Sequence, residues 1–255
     1  VLELSSFQLE LMRQSPRISV VTNVSPNHLD VHETMDRYVE AKKNIYRYQG
    51  SSDYVVLNMD NHYTRRMGGE APGAVVWFSL KEEPELGAYL SPEGRIELKI
   101  PSGGILEADL GTVRRLEICR AEQVRLPGRH NLENVLAACT ASCLAHPAVD
   151  SPAIASVLSR FNGVEHRLEP VGVINGVSFY NDSIATSPAR TMAAIEAIQS
   201  PQILILGGYD KNLPFEELAG LVVRRAKAVV LMGATAPKIL KAIEAALEAL
   251  GPEAP

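Results

Sequence analysis

Asn181, Asp182, Ser183 and Thr186 form one short polar run just ahead of Ser187-Pro188. Upstream, Val171 to Tyr180 reads as a β-hairpin, because Asn175-Gly176 between two β-rich stretches suits a type I′ turn. Downstream, Ser187 is placed to cap a helix and Pro188 to occupy its first position. The run therefore gathers hydroxyl, amide and carboxyl groups where a strand ends and a helix begins. Backbone N–H groups and the positive end of the helix dipole at such a place favour a carboxylate or a phosphate. A polar turn in which Asp182 and Ser183 merely cap the chain locally fits the same residues.

Further groups of the same kind recur along the chain. Ser5 and Ser6 directly follow the Val1–Leu4 stretch, which reads as a strand and carries Glu3 near its end. Beyond the carboxyl end of a strand in an α/β sheet they suit a metal or a substrate, although Ser5 equally suits a helix cap. His28 in Asn23-Val24-Ser25-Pro26-Asn27-His28-Leu29-Asp30 follows another strand, on the same expected edge as Glu3, and an imidazole there is a candidate metal ligand. Lys42 lies in the next helix, where a solvated lysine is the default. Asn131 and Asn134, three apart at the start of a helix after Pro127-Gly128-Arg129-His130, share a face, and their amides suit the edge of a nucleobase. His166-Arg167 falls at an expected domain boundary, and Arg167 suits bidentate contact with phosphate. Gly207-Gly208-Tyr209-Asp210-Lys211 lacks the glycine spacing of a dinucleotide loop.

The elements that must carry these groups are legible as alternation. Apolar, β-branched runs at Val1–Leu4, Ile18–Asn23, Tyr54–Leu57 and Ala74–Phe78 are interleaved with a helical pattern over Glu33–Tyr48. This predicts an α/β fold, a mostly parallel sheet with helices on both faces. Residues 79–126, with short β pieces at Arg95–Ile100 and Leu116–Cys119, read as an antiparallel flank. Helices follow at His130–Leu144 and Pro152–Arg160. The pattern breaks around Phe161–Glu165, so a boundary near residues 163–170 divides the chain into a 1–166 and a 167–255 domain. The second has the hairpin, strands at Gln202–Leu206 and Ala228–Met232, and helices over 188–198, 215–225 and 236–250.

Bulk properties narrow the function. Hydrophobic residues make up 46% of the 255 and charged ones 22%, which gives ample material for a core. A formal net charge of −5 with no Lys/Arg run argues against a nucleic-acid surface. Cys119, Cys139 and Cys143 are unpatterned; the last two lie one helical turn apart and read as small core residues. No apolar run suits a bilayer and no signal peptide is recognisable, so the expectation is a cytoplasmic protein with no membrane partner. A strand-like opening without methionine, and a close in Gly-Pro-Glu-Ala-Pro, suggest a piece of a longer protein.

Taken together, several segments resemble, in order and spacing, the motifs of the Mur ligase family, the ATP-dependent enzymes that build the peptidoglycan peptide. They are Glu3-Leu4-Ser5-Ser6-Phe7-Gln8-Leu9, Asn23 to Asp30, Ala41-Lys42, Gly128 to Asn134, His166-Arg167, Asn181-Asp182-Ser183 and Gly207 to Lys211. The resemblance covers nearly the whole chain, least distinctively residues 79–120. The first and last segments point to the members that add D-glutamate. The implied fold is a central ATPase domain followed by a Rossmann-like C-terminal domain, each partial.

The implied reaction adds D-glutamate to UDP-N-acetylmuramoyl-L-alanine through an acyl phosphate, with ATP and Mg²⁺ as cofactors. By resemblance Glu3 holds one Mg²⁺. His28 holds a second with Lys42, which the family carries as a carbamate. Ser5 and Gln8 contact the UDP-muramyl substrate. Asn131 and Asn134 stand at the nucleobase site, Arg167 meets phosphate and Asp182 the ribose. Thr186 and Lys211 grip the carboxylates of D-glutamate. Lys42, His28 and Arg167 are the implied catalytic set, and small molecules are the implied partners of a monomer.

The chain departs from the family pattern in three ways. No Gly-x-x-x-x-Gly-Lys-Ser/Thr phosphate loop occurs in it, and set against the family pattern it is expected to be a piece without the N-terminal domain for the UDP moiety and the end of the C-terminal domain. Ile184 stands where many relatives have lysine. The chain alone is therefore expected to be inactive. A non-catalytic nucleotide- or partner-binding module and a folylpolyglutamate-synthetase-type ligase are the competing readings. A nicotinamide oxidoreductase rests only on Gly207-Gly208.

Overall fold

A computed structural model describes residues 1–103 and 112–251. Residues 104–111 of the expected flank and 252–255 of the expected second domain lie outside the described residues. The chain forms two compact units. The first takes Val1–Val24, His32–Leu126 and His130–Asn162; the second takes Ser25–Val31, Pro127–Arg129 and the chain from Gly163.

In chain order the elements up to Leu158 are α1 (Ser6–Glu10), β1 (Ile18–Val21), α2 (Leu29–His32), α3 (Met35–Lys43), β2 (Tyr54–Asn58), α4 (His62–Gly68), β3 (Ala74–Ser79), β4 (Gly87–Leu90), β5 (Arg95–Pro101), β6 (Val113–Arg120), α5 (Arg129–Ala145) and α6 (Ser151–Leu158). Among the described residues the six strands form one sheet in the order β1-β2-β3-β4-β5-β6. The first four run parallel, with Val20 opposite Val56 and Val56 opposite Val76; β5 and β6 close the sheet antiparallel. All five residues of β2 are buried, as a strand covered on both faces requires. Its alternation feeds two cores. Tyr54 and Val56 join Val76, Phe78 and the apolar side of α5, whereas Val55 and Leu57 join Val21, Tyr38, Tyr46 and Met67 under α3 and α4.

The second unit continues with β7 (Glu169–Ile174), β8 (Val177–Asn181), α7 (Pro188–Ala197), β9 (Gln202–Gly207), α8 (Glu216–Arg225), β10 (Ala226–Met232) and α9 (Ala236–Leu250). Asn175 and Gly176 both have positive φ, 50° and 80°, the backbone a type I′ turn needs. β9 and β10 pair in parallel across α8, and Leu204, Leu206 and Val229 pack on Ile195, Leu218 and Val222.

The structure corrects the sequence expectations in several places. Val1–Leu4 is not a strand: Leu2 is 84% exposed, and no described strand runs beside it. A β-prone tetrapeptide is ordered as a strand only by a ladder partner. The Glu33–Tyr48 helix is α3 alone, ending at the Asn44 cap. Ser187 occupies the N-cap position of α7 with extended backbone, but its hydroxyl makes no capping hydrogen bond. Its carbonyl instead accepts the N–H groups of Arg190 and Thr191. α4 and β4 have no counterpart in the expectations.

Two glycines separate steric from conformational demand. Gly87 has φ 131° and passes so close to β3 that a Cβ would lie 1.6 Å from the Trp77 carbonyl oxygen, whereas Gly94, at φ 76°, has no atom within 4 Å of such a Cβ. Gly94→Ala is expected to cost about 1–2 kcal/mol for the left-handed backbone alone. Gly87→Ala should cost at least about 3 kcal/mol, because the β3–β4 ladder must also part. Urea midpoints compare the two; equal midpoints would exclude the steric account.

Candidate functional site

Glu3, Ser5 and Gln8 are exposed side chains around the start of α1. Ser5 caps the helix in a reciprocal box: its Oγ accepts the Gln8 N–H at 3.3 Å, and Gln8 Oε1 accepts the Ser5 N–H at 2.9 Å and its hydroxyl at 3.0 Å. The box orders both side chains on the surface of the first unit. The opposite side of this short helix is anchored. Ser6 is buried with its Oγ 2.9 Å from His32 Nε2, and Asn44 Nδ2 donates to the Leu9 carbonyl at 2.9 Å.

His32 also links α1 to Lys42. Its ring stacks on Phe7 (centroids 5.2 Å apart, planes at 10°) and meets Tyr38 at 5.3 Å, and Lys42 Nζ lies 4.9 Å over the Tyr38 ring. A cation on an aromatic face is stabilised by the ring quadrupole. Lys42 is therefore a half-buried ammonium resting on a buried aromatic support, not a solvated helix lysine. Phe7, His32 and Tyr38 come from three segments, and nothing in their spacing announces the stack.

Loops beyond β1 and β2 are tied by amides. Asn58 Nδ2 donates to the Thr22 carbonyl and Asn61 Nδ2 to the Val24 carbonyl, both at 3.0 Å. His28 follows in this loop, half-buried, with φ 54°, its N–H donated to Asn27 Oδ1 at 3.0 Å. His28 belongs to the second unit, Glu3 and Lys42 to the first. Among the described residues no group of three or more His, Cys, Asp or Glu side chains converges as a metal site. Asn131 is buried and Asn134 half-buried in the first turns of α5, their amides joined at 3.4 Å.

In the second unit, the turn after β8 is bound to a hook formed by residues 166–169. Asp182 Oδ1 accepts the Leu168 N–H at 2.8 Å, Ile184 donates its N–H to the His166 carbonyl at 3.2 Å, and Asn181 Nδ2 meets His166 Nδ1 at 2.8 Å. Glu169 Oε2 takes the His166 N–H at 2.8 Å. His166 and Leu168 are held at φ 64° and 45°, a costly region for side chains of this size. Buried Leu168 and these hydrogen bonds fix the hook, and exposed Arg167 is its middle residue. The structure thus brings Arg167, Asp182 and exposed Thr186 onto one small scaffold. Lys211 sits in the loop after β9, half-buried, where Gly207 and Gly208 have φ 143° and 141°.

The free cysteines are not nucleophile candidates. All three are buried, and desolvation, with a smaller contribution from its neighbours Cys143 and Cys119, pushes the Cys139 thiol up to about 12.

Residues 1–142 match the Mur ligase middle domain, and residues 166–253 the Mur ligase glutamate ligase domain. The UDP-N-acetylmuramoylalanine--D-glutamate ligase of Acetivibrio thermocellus is 49% identical over 251 residues, 98% of this chain and 51% of that protein. The chain spans about half the length of the curated relatives it matches. Among solved structures, MurF from Acinetobacter baumannii superposes with a TM-score of 0.66 at 16% identity, covering 93% of this chain and 51% of that one. MurF of Thermotoga maritima in complex with ADP gives a TM-score of 0.57 at 16% identity, covering 92% of this chain and 63% of that one. At such identities the likeness is one of fold. The two domain matches together span most of the sequence, and the chain belongs to the Mur ligase family.

Proposed function

We propose that this chain is the nucleotide- and amino-acid-binding part of an ATP-dependent ligase that adds D-glutamate to UDP-N-acetylmuramoyl-L-alanine. The division lies at residues 166/167, between a central ATP-binding domain over 1–166 and an amino-acid-binding domain over 167–255 that also carries Arg167 and Asp182. The observation that carries the reading is 49% identity over 98% of the chain to a relative of that name. Small-molecule substrates, a monomeric state and a cytoplasmic location complete the proposal; among the described residues no helix is long and apolar enough to cross a membrane.

The roles follow the chemistry of each side chain. Asn131 and Asn134 present amide donors and acceptors to the nucleobase, and Asp182 offers a carboxylate oxygen to ribose hydroxyls. Arg167, on its rigid hook, supplies a planar fork for phosphate oxygens and offsets charge as phosphate passes to the substrate carboxylate. The ordered Ser5–Gln8 surface suits the UDP-muramyl substrate. Thr186 and Lys211 receive the carboxylates of D-glutamate, whose amine displaces phosphate from the acyl phosphate.

The residues fit Mg²⁺ of the kind held by one or two protein groups and completed by nucleotide phosphates, which needs no all-protein cage. Exposed Glu3 is the hard oxygen donor. His28 is the second candidate, joined by Lys42 if its amine is converted to a carbamate. The ion would supply offset for phosphate charge.

Amino-acid-dependent phosphate release by the complete ligase tests the proposal. D-glutamate should support turnover with UDP-N-acetylmuramoyl-L-alanine, and L-alanine or D-alanyl-D-alanine should not; the reverse preference would overturn it. Lys42→Ala should nearly abolish turnover, and high bicarbonate with a short carboxylic acid should restore part of it. A Lys42→Ala protein with most of its activity would return Lys42 to a structural role. Lys211→Ala should raise the KM for D-glutamate about 10- to 150-fold, the equivalent of roughly 1.5–3 kcal/mol for a charge-assisted contact. The KM for ATP should stay within about twofold, since Lys211 is given no phosphate. A defect confined to ATP would move Lys211 to the nucleotide.

A further inference from the structure

The loop after β9, from Gly208 to Asn212, carries Lys211, yet its backbone is intrinsically loose. Gly208 and Asn212 have positive φ, and Tyr209 is 80% exposed with no core to rest on. Two attachments restrain it, and both run to the segment that leads from β10 into α9. The Gly208 carbonyl accepts the Thr235 N–H at 3.1 Å, and Gly233 passes so near that a Cβ on it would lie 2.9 Å from the Gly208 nitrogen. Asp210 then divides its two oxygens. Oδ2 takes the ammonium of Lys238, in the first turn of α9, while Oδ1 accepts the Asn212 N–H at 2.9 Å.

That carboxylate thereby grips the residues on both sides of Lys211. Its own residue precedes Lys211, and the N–H it holds follows Lys211. Hydrogen bonds from Lys238 first, and from the Asn212 N–H second, hold the Asp210 carboxyl below its usual range. Without Lys238 the carboxylate would lose its described anchor outside the loop, and its hold on the Asn212 N–H would loosen with it.

We infer that Lys238 and Asp210 are a positioning pair for Lys211: they hold the backbone that presents its ammonium to the carboxylate of the incoming amino acid. The inference rests on the assignment of Lys211 to D-glutamate. Lys238 touches no substrate in this scheme; it acts through Asp210. Such a pair should govern how well the amino acid is bound, not how fast phosphate is transferred. An exposed ion pair is worth little to stability, so its loss should leave folding nearly intact.

The test uses the complete ligase with Lys238→Met, Lys238→Arg, Asp210→Asn and the Lys238→Met/Asp210→Asn double variant. Lys238→Met should raise the KM for D-glutamate about three- to tenfold, with kcat and the KM for ATP within about twofold. Lys238→Arg keeps the cation and should restore the wild-type constant. Asp210→Asn, which keeps an oxygen for the Asn212 N–H, should match Lys238→Met, and the double variant should be no worse than either single one. An unchanged constant in Lys238→Met, or additive losses in the double variant, would overturn the pair. A wild-type enzyme that does not use D-glutamate would instead sink the proposed reaction. In that event amide exchange in this chain decides the pair: the Asn212 N–H should exchange faster in Lys238→Met and normally in Lys238→Arg, and equal rates in all three proteins would refute it.

Discussion

Parallel strands cannot be joined by a tight turn, so β1 and β2 are each followed by a helical crossover, α2–α3 and α4, before the next strand. The consequence is double burial, and β2 shows it in a run where every residue is inaccessible. Tyr54 and Val56 serve one core while Val55 and Leu57 serve the other, so a one-residue slip would exchange two sets of differently shaped side chains. This fixed register also aligns the carboxyl ends of the strands. Asn58 and Asn61, just beyond β2, can therefore reach the carbonyls of Thr22 and Val24 beyond β1 and tie down the loop that leads to His28. β9 and β10 repeat the logic in the second unit, where Gly207-Gly208 and Gly233 lie side by side because their strands are parallel neighbours.

Where regular structure ends, polar side chains take over the work of fixing the backbone. The hook at residues 166–169 places a histidine and a leucine in left-handed conformations that neither residue favours. It persists because Asp182, Glu169 and Asn181 satisfy its N–H groups and its histidine ring. The cost is concentrated at the two residues that flank Arg167. Lys42 gains its setting differently, from buried His32 and Tyr38 with exposed Phe7 stacked on His32, its ammonium resting over the Tyr38 ring. In both cases a cationic side chain is carried by neighbours that are more constrained than it is.

The regular elements were readable wherever the residues themselves decide. Asn175-Gly176 dictates its turn, and the apolar runs of β2 and β3 dictate buried strands. Val1–Leu4 misled, since strand propensity is a statement about packing on a neighbour and none of the described strands lies there. α4 escaped because His62-Tyr63-Thr64-Arg65-Arg66 has little apolar periodicity. Its one clear signal is Asn61, whose side chain accepts the N–H groups of Tyr63 and Thr64 as a helix cap. The candidate side chains could be named from their types, but not their supports. No spacing rule joins Phe7 to His32 and Tyr38, or Asp210 to Lys238, because those partners are set by tertiary packing.

Local and functional explanations of a polar residue are also not exclusive here. Ser5 and Gln8 close a capping box, which uses the Gln8 carbonyl oxygen as acceptor and leaves the donors of its NH₂ group outside the box. The box thus fixes the side chain that would present those donors. Asp182 was readable as a local cap, yet its Oδ1 spans to Leu168, so it stabilises the hook from the turn after β8. A carboxylate or amide already committed to the fold costs little further entropy to use in binding, since its rotamer is set before any ligand arrives. Fold and site share these side chains, so removing one should disturb the positions of its neighbours before it removes any contact of its own.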